Sequence, residues 1–229
     1  LEPALTAALI AVYLAILPFN APVWRSGLMI LGLMLGDALG RRIHRWDGKT
    51  LEQVADLSDK TVFCLSDGIV DSHDRMYIGD IGYNFFDPAN QSVDTCVISC
   101  IGPDGSVRVV AEGLSFPNGM VITPDGKTLI VAETTGHRLT AFDILVDGAL
   151  ANRRVYAELG ENVQPDGIAL DVEGGVWLAN PEGKSALRVL EGGMIAQTIE
   201  LDTEAYAVML GGPERRQLLI CASDTHDPA

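Results

Sequence analysis

Pro117-Asn118-Gly119-Met120-Val121 has two counterparts in this sequence, Ser66-Asp67-Gly68-Ile69-Val70 and Pro165-Asp166-Gly167-Ile168-Ala169. Each sets a polar residue before a glycine and follows it with an apolar run, and the three glycines lie 51 and 48 residues apart. Each run leads into a turn, at residues 72–75, 124–127 and 172–175, and then into a second apolar run. Those second runs end in a small residue followed by a polar one: Gly79-Asp80, Ala132-Glu133 and Ala179-Asn180. Short apolar runs bounded by Asp, Pro and Gly predict strands joined by tight turns rather than helices.

Two more alternating segments complete each unit, so the sequence predicts four strands per repeat of 40 to 50 residues. A period of this length with four strands is the plan of a β-propeller, whose innermost strands line a central channel; a β-solenoid repeats at shorter intervals. Three full units are expected at about 65–112, 116–159 and 164–201, with half units before and after. The fold class is therefore all-β, a propeller incomplete at both ends. A sheet edge is left open unless the N-terminal segment or a second chain covers it, which makes self-association an expectation.

Residues 1–40 differ from the rest and are set apart from a propeller domain at 41–229. Two apolar runs, 4–19 and 28–35, are separated by a gap containing Pro22 and Arg25, and neither reaches the roughly 20 residues of a membrane-spanning helix. No basic stretch precedes the first run, as a secretory signal requires. The segment is expected to be helical, and the protein cytoplasmic, with membrane association through residues 1–40 as the alternative. Residues 1–45 carry four Arg against Glu2 and Asp37, while the whole chain has a net charge of -15. That acidity excludes nucleic acid as a partner, because phosphate binding needs clustered Lys and Arg.

Cys64, Cys96, Cys100 and Cys221 form no C-x-x-C pair and are expected to be small buried hydrophobes. His44, His73, His137 and His226 show no metal-ligand spacing, with His73 expected in a solvated turn, and no nucleophile elbow or Ser-His-Asp pattern is present. Asp80, Glu133 and Asn180 are expected to bond neighbouring backbone at strand ends.

Asp67, Asn118 and Asp166 occupy the same place in successive units, so the rotation of a propeller brings them to one end of one channel. Two carboxylates and a carboxamide are hard oxygen donors suited to Ca²⁺ or Mg²⁺, and Zn²⁺ or Mn²⁺ is also possible. The same dipeptides serve equally as plain turns at the start of a strand, and residue types alone leave both readings open.

Residues 112–134, EGLSFPNGMVITPDGKTLIVAET, resemble the most recognisable stretch of the SMP-30/gluconolactonase/LRE-like family of six-bladed propellers. Residues 65–71 (LSDGIVD), 164–171 (QPDGIALD) and 209–213 (MLGGP) add matches in the right order, and the resemblance covers about residues 41–225. It implies metal-dependent hydrolysis of a small lactone, with Asn118 and Asp166 holding one divalent cation, Ca²⁺ foremost. Asp166 is also implied as general base, and Ser66, Asp67 and Asn84 as substrate contacts. Ser66 stands where the family often has Asn. The family's third protein ligand, a Glu in a Glu-Gly-Pro context in its first blade, has no counterpart in residues 1–40. A non-enzymatic propeller that binds a small ligand or partner at its channel mouth is the competing expectation.

Overall fold

The structure is a computed structural model that describes residues 33–46, 49–84 and 96–224. These form five antiparallel sheets, numbered here as blades I to V. Blade I holds β1 (Leu33–Asp37), β2 (Arg42–Trp46) and β3 (Leu51–Asp56). Blade II holds β4 (Cys64–Val70), β5 (Met76–Ile81), β6 (Cys96–Ile101) and β7 (Val107–Leu114). Blade III holds β8 (Pro117–Ile122), β9 (Thr128–Glu133), β10 (Arg138–Ile144) and β11 (Leu150–Glu158). Blade IV holds β12 (Ile168–Leu170), β13 (Val176–Asn180), β14 (Ser185–Val189) and β15 (Ile195–Glu200). Blade V pairs β16 (Glu204–Gly211) with β17 (Gln217–Ser223).

Strands follow one another across each sheet in chain order, as short hairpins dictate. The first strands of successive blades, β1, β4, β8, β12 and β16, touch their neighbours in that order and form the inner wall of a propeller. The all-β architecture and the unit boundaries agree with the repeat in the sequence. The helix expected within residues 1–40 falls almost wholly outside the described residues. Where the structure begins, Leu33–Asp37 is a strand paired with β2, so the first blade starts ahead of residue 41.

The core lies between blades rather than inside any one of them. Ile43, Leu57, Leu65, Ile78 and Ile101 join blades I and II. Tyr77, Ile98, Leu114, Leu129 and Phe142 join II and III, and Val121, Ile130, Ala141, Leu178 and Leu187 join III and IV. The seam between IV and V is built from smaller residues, Ala179, Ala186, Ala205 and Val208, which lets those sheets approach closely. Cys64, Cys96 and Cys100 are buried as expected; Cys221 is exposed, because β17 is the outermost described strand of its sheet.

Candidate functional site

The inner strands β4 and β8 are irregular where their polar residues sit. Pairing of β4 with β5 slips between Leu65 and Gly68, and that of β8 with β9 slips between Pro117 and Met120. A bulge of this kind takes a side chain out of the ladder and re-aims it, here Ser66 and Asp67 in blade II and Asn118 in blade III. Asp166 lies two residues before the first residue of β12, with its N–H donated to Ala179 O at 3.0 Å.

The glycines after Asn118 and Asp166 are demanded by the neighbouring blade. Gly119 N donates to Asp166 O at 3.2 Å, and a Cβ on Gly119 would lie 2.5 Å from Ile168 N. Gly167 N likewise donates to Tyr206 O at 3.0 Å, and its Cβ would lie 2.8 Å from Ala207 Cα. Blades III, IV and V are therefore tied through main chain at the level of Asn118 and Asp166.

Asn118 Nδ2 donates to Thr134 Oγ1 at 3.2 Å, and Thr134 Oγ1 donates to Pro165 O at 2.8 Å. This relay fixes the carboxamide against the segment that carries Asp166, to which Asn118 is also hydrogen-bonded. Burial, and then the charge of Asp67, push the Asp166 carboxyl up to about 7 against the opposing bond from Asn118. Asp67 is itself shifted upward by enclosure, yet more than a third of its surface is exposed, as suits a group facing an open channel whose water limits the shift. The mutual influence of Asp67 and Asp166 shows that the rotation of the fold brings them together.

Ser66, beside Asp67, is half-buried. Asn84 is half-buried on the loop after β5, at the same end of blade II as the start of β4. The cluster fits a divalent cation in the chemistry of its donors, two carboxylates and a carboxamide with mutually repelling charge. Among the described residues no group of three or more His, Cys, Asp or Glu is placed to hold a metal ion.

The other polar strand ends have structural roles. Glu133, fully buried, accepts bonds from Ser115 N, Arg138, Thr140 and Arg153, and these outweigh burial to hold its carboxyl below the usual range. Asn180 Oδ1 accepts from Gln164 N at 3.1 Å and Asp80 Oδ1 from Val97 N at 2.6 Å. His73 is exposed in its turn, and His137 Nδ1 lies 2.9 Å from Val163 O. A cleft of about 650 Å³ lined by Thr123, Leu170, Asp171 and Tyr156 opens at the other end of the inner strands and contains none of these donors.

One residue at the channel mouth escapes the sequence pattern. Pairing of β16 with β17 slips between Ala205 and Ala207, placing Tyr206 where Asn118 stands in blade III. Neither Pro before it nor Gly after it marks the position, so the motif gives no signal there.

Fold and site together define a β-propeller whose inner strands carry an oxygen-donor cluster at one channel mouth. The chain belongs to the SMP-30/gluconolactonase/LRE-like family, whose model matches residues 20–224. Regucalcin of Danio rerio is 28% identical over 182 residues, which is 78% of this chain and 60% of that protein. A 6-deoxy-6-sulfogluconolactonase of Pseudomonas putida is 30% identical over 119 residues, 51% of this chain and 41% of that one. Among solved structures, a gluconolactonase from Xanthomonas campestris superimposes with a TM-score of 0.69 at 25% identity, covering 84% of this chain and 66% of its own. The chain thus spans about 60% of the length of the curated regucalcin it matches. Among the described residues, no helix is long and apolar enough to cross a membrane.

Proposed function

We propose that this protein hydrolyses a small lactone with the help of one divalent cation, Ca²⁺ before Zn²⁺, Mn²⁺ or Mg²⁺. The observation that carries the reading is the placing of the Asp166 carboxyl, hydrogen-bonded to Asn118 and beside Asp67 at one channel mouth. Asn118 and Asp166 would hold the cation. Bound there, it would supply positive charge that polarises a carbonyl and acidifies water.

A carboxylate held at the channel mouth is suited to general-base work on water. Asp166 takes a proton from the attacking water as the new C–O bond forms at the lactone carbonyl. When the ring C–O bond breaks, the same proton returns to the departing ring oxygen, giving a hydroxy acid and restoring the carboxylate. Asp67 keeps negative charge beside Asp166 and so favours its proton-accepting role, and with Ser66 and Asn84 it borders the space a substrate would occupy. Membership of a family that includes gluconolactonases supports the reaction class.

The test is lactone hydrolysis with and without added Ca²⁺, Zn²⁺ or Mn²⁺, alongside Asp166→Ala. Cation-stimulated turnover in the wild type that falls by at least about 10²-fold in the variant is expected, since a general base contributes that much. Equal inactivity of both with every cation would remove the enzyme reading and leave a propeller that binds a ligand without turning it over.

A further inference from the structure

Blade V brings two side chains to the channel mouth that the donor pattern of the other blades does not include. Glu204 and Tyr206 lie at the start of β16, at the end of the blade where Asp67, Asn118 and Asp166 stand in theirs. The carbonyl of Tyr206 accepts Gly167 N at 3.0 Å, just as that of Asp166 accepts Gly119 N at 3.2 Å, so Tyr206 is the next position round the ring after Asp166. Its ring is half-buried, its hydroxyl donates to a Glu204 carboxylate oxygen, and it lies close enough to Asp166 to sense that charge. Burial, the bond to Glu204 and the negative charges of Glu204 and Asp166 push the phenol up to about 12, so it keeps its proton at working pH.

A phenol that donates to a carboxylate presents, together with it, a set of acceptors. Such a pair recognises donors, and the donors on a small lactone are ring hydroxyls. The geometry points to Glu204 and Tyr206 as the pair that receives the substrate's hydroxyl groups, holding a polyhydroxylated lactone with its carbonyl toward Asn118 and Asp166. This rests on the lactonase reading above and adds the residues that set its specificity. They are positioning residues, with no part in the bond changes.

The deciding comparison is glucono-δ-lactone against δ-valerolactone, which has the same ring without hydroxyls, for the wild type, Tyr206→Phe and Glu204→Gln. Loss of a hydrogen bond that only the hydroxylated substrate makes is expected to lower kcat/KM for glucono-δ-lactone about tenfold, chiefly through KM, while δ-valerolactone stays within about twofold. An equal fall on both lactones, which a merely structural role would give, overturns the proposal, as does no fall on either or a wild type active on δ-valerolactone alone. If the wild type hydrolyses only glucono-δ-lactone, or neither, calorimetry with D-gluconate decides: a Kd weakened about fivefold or more by Tyr206→Phe supports the pair, and an unchanged Kd or no binding overturns it. Wild-type inactivity on both lactones counts separately against the lactonase reading.

Discussion

Three buried or half-buried carboxyls, on Asp80, Glu133 and Asp166, differ because of what surrounds them. Glu133 has two guanidiniums and a backbone N–H, and stays ionised. Asp166 is lifted to about 7 by burial and then by the neighbouring Asp67, with no such cations to oppose them. Asp80 is 3% exposed with one backbone donor, Val97 N, and burial lifts it to about 6. A carboxyl that holds its proton more tightly in the native state costs stability as pH rises from its unfolded value, near 4, to its native value, and the cost is constant above that. Asp80→Asn removes this titration. From pH 4 to pH 6 the urea-derived stability difference should therefore move in the variant's favour, by up to about 3 kcal/mol for a shift of roughly two units. Parallel pH curves for the two proteins would mean that Asp80 titrates normally.

The inner strands show what the sequence could and could not reveal. Asp67, Asn118 and Asp166 were legible because Gly68, Gly119 and Gly167 mark each position, and glycine is required where neighbouring backbones approach within van der Waals distance. Tyr206 was not legible, because Ala207 takes the place of that glycine and only the slipped register with β17 exposes the equivalence. Leu33–Asp37 falls in a segment that the sequence predicts as helical, because its strand character comes from pairing with β2, which short apolar runs do not announce. Gly119→Ala should cost about 1–3 kcal/mol, since the added methyl would lie 2.5 Å from Ile168 N and blades III and IV must part. Urea unfolding would show the loss. A variant as stable as the wild type would mean that the two strands separate without penalty.

At the level of the whole molecule, the blades are held by apolar seams, and the seam before blade V is the thinnest. Among the described residues no strand pairs with the outer edge of β17, and Leu219 and Met209 on this sheet are 37% and 40% exposed. Open edges pair with other edges, and a lysine is the usual guard. Sedimentation should show an average mass that climbs with concentration for the wild type and stays flat for Leu219→Lys. Concentration-independent mass in both proteins would take the edge out of consideration.

The main-chain bonds from Gly119 to Asp166 and from Gly167 to Tyr206 carry a consequence for how this channel mouth can change. They fix the spacing of the sockets without using the side chains that occupy them. An exchange at Asn118, Asp166 or Tyr206 that leaves the glycines in place therefore alters the chemistry of one socket and leaves the others in position. Because Asn118 is hydrogen-bonded to Asp166 and Tyr206 senses the Asp166 charge, combined substitutions there should depart from additivity both in folding free energy and in ligand affinity. The ring is a fixed frame with replaceable fittings, and new specificities can be reached on it one residue at a time.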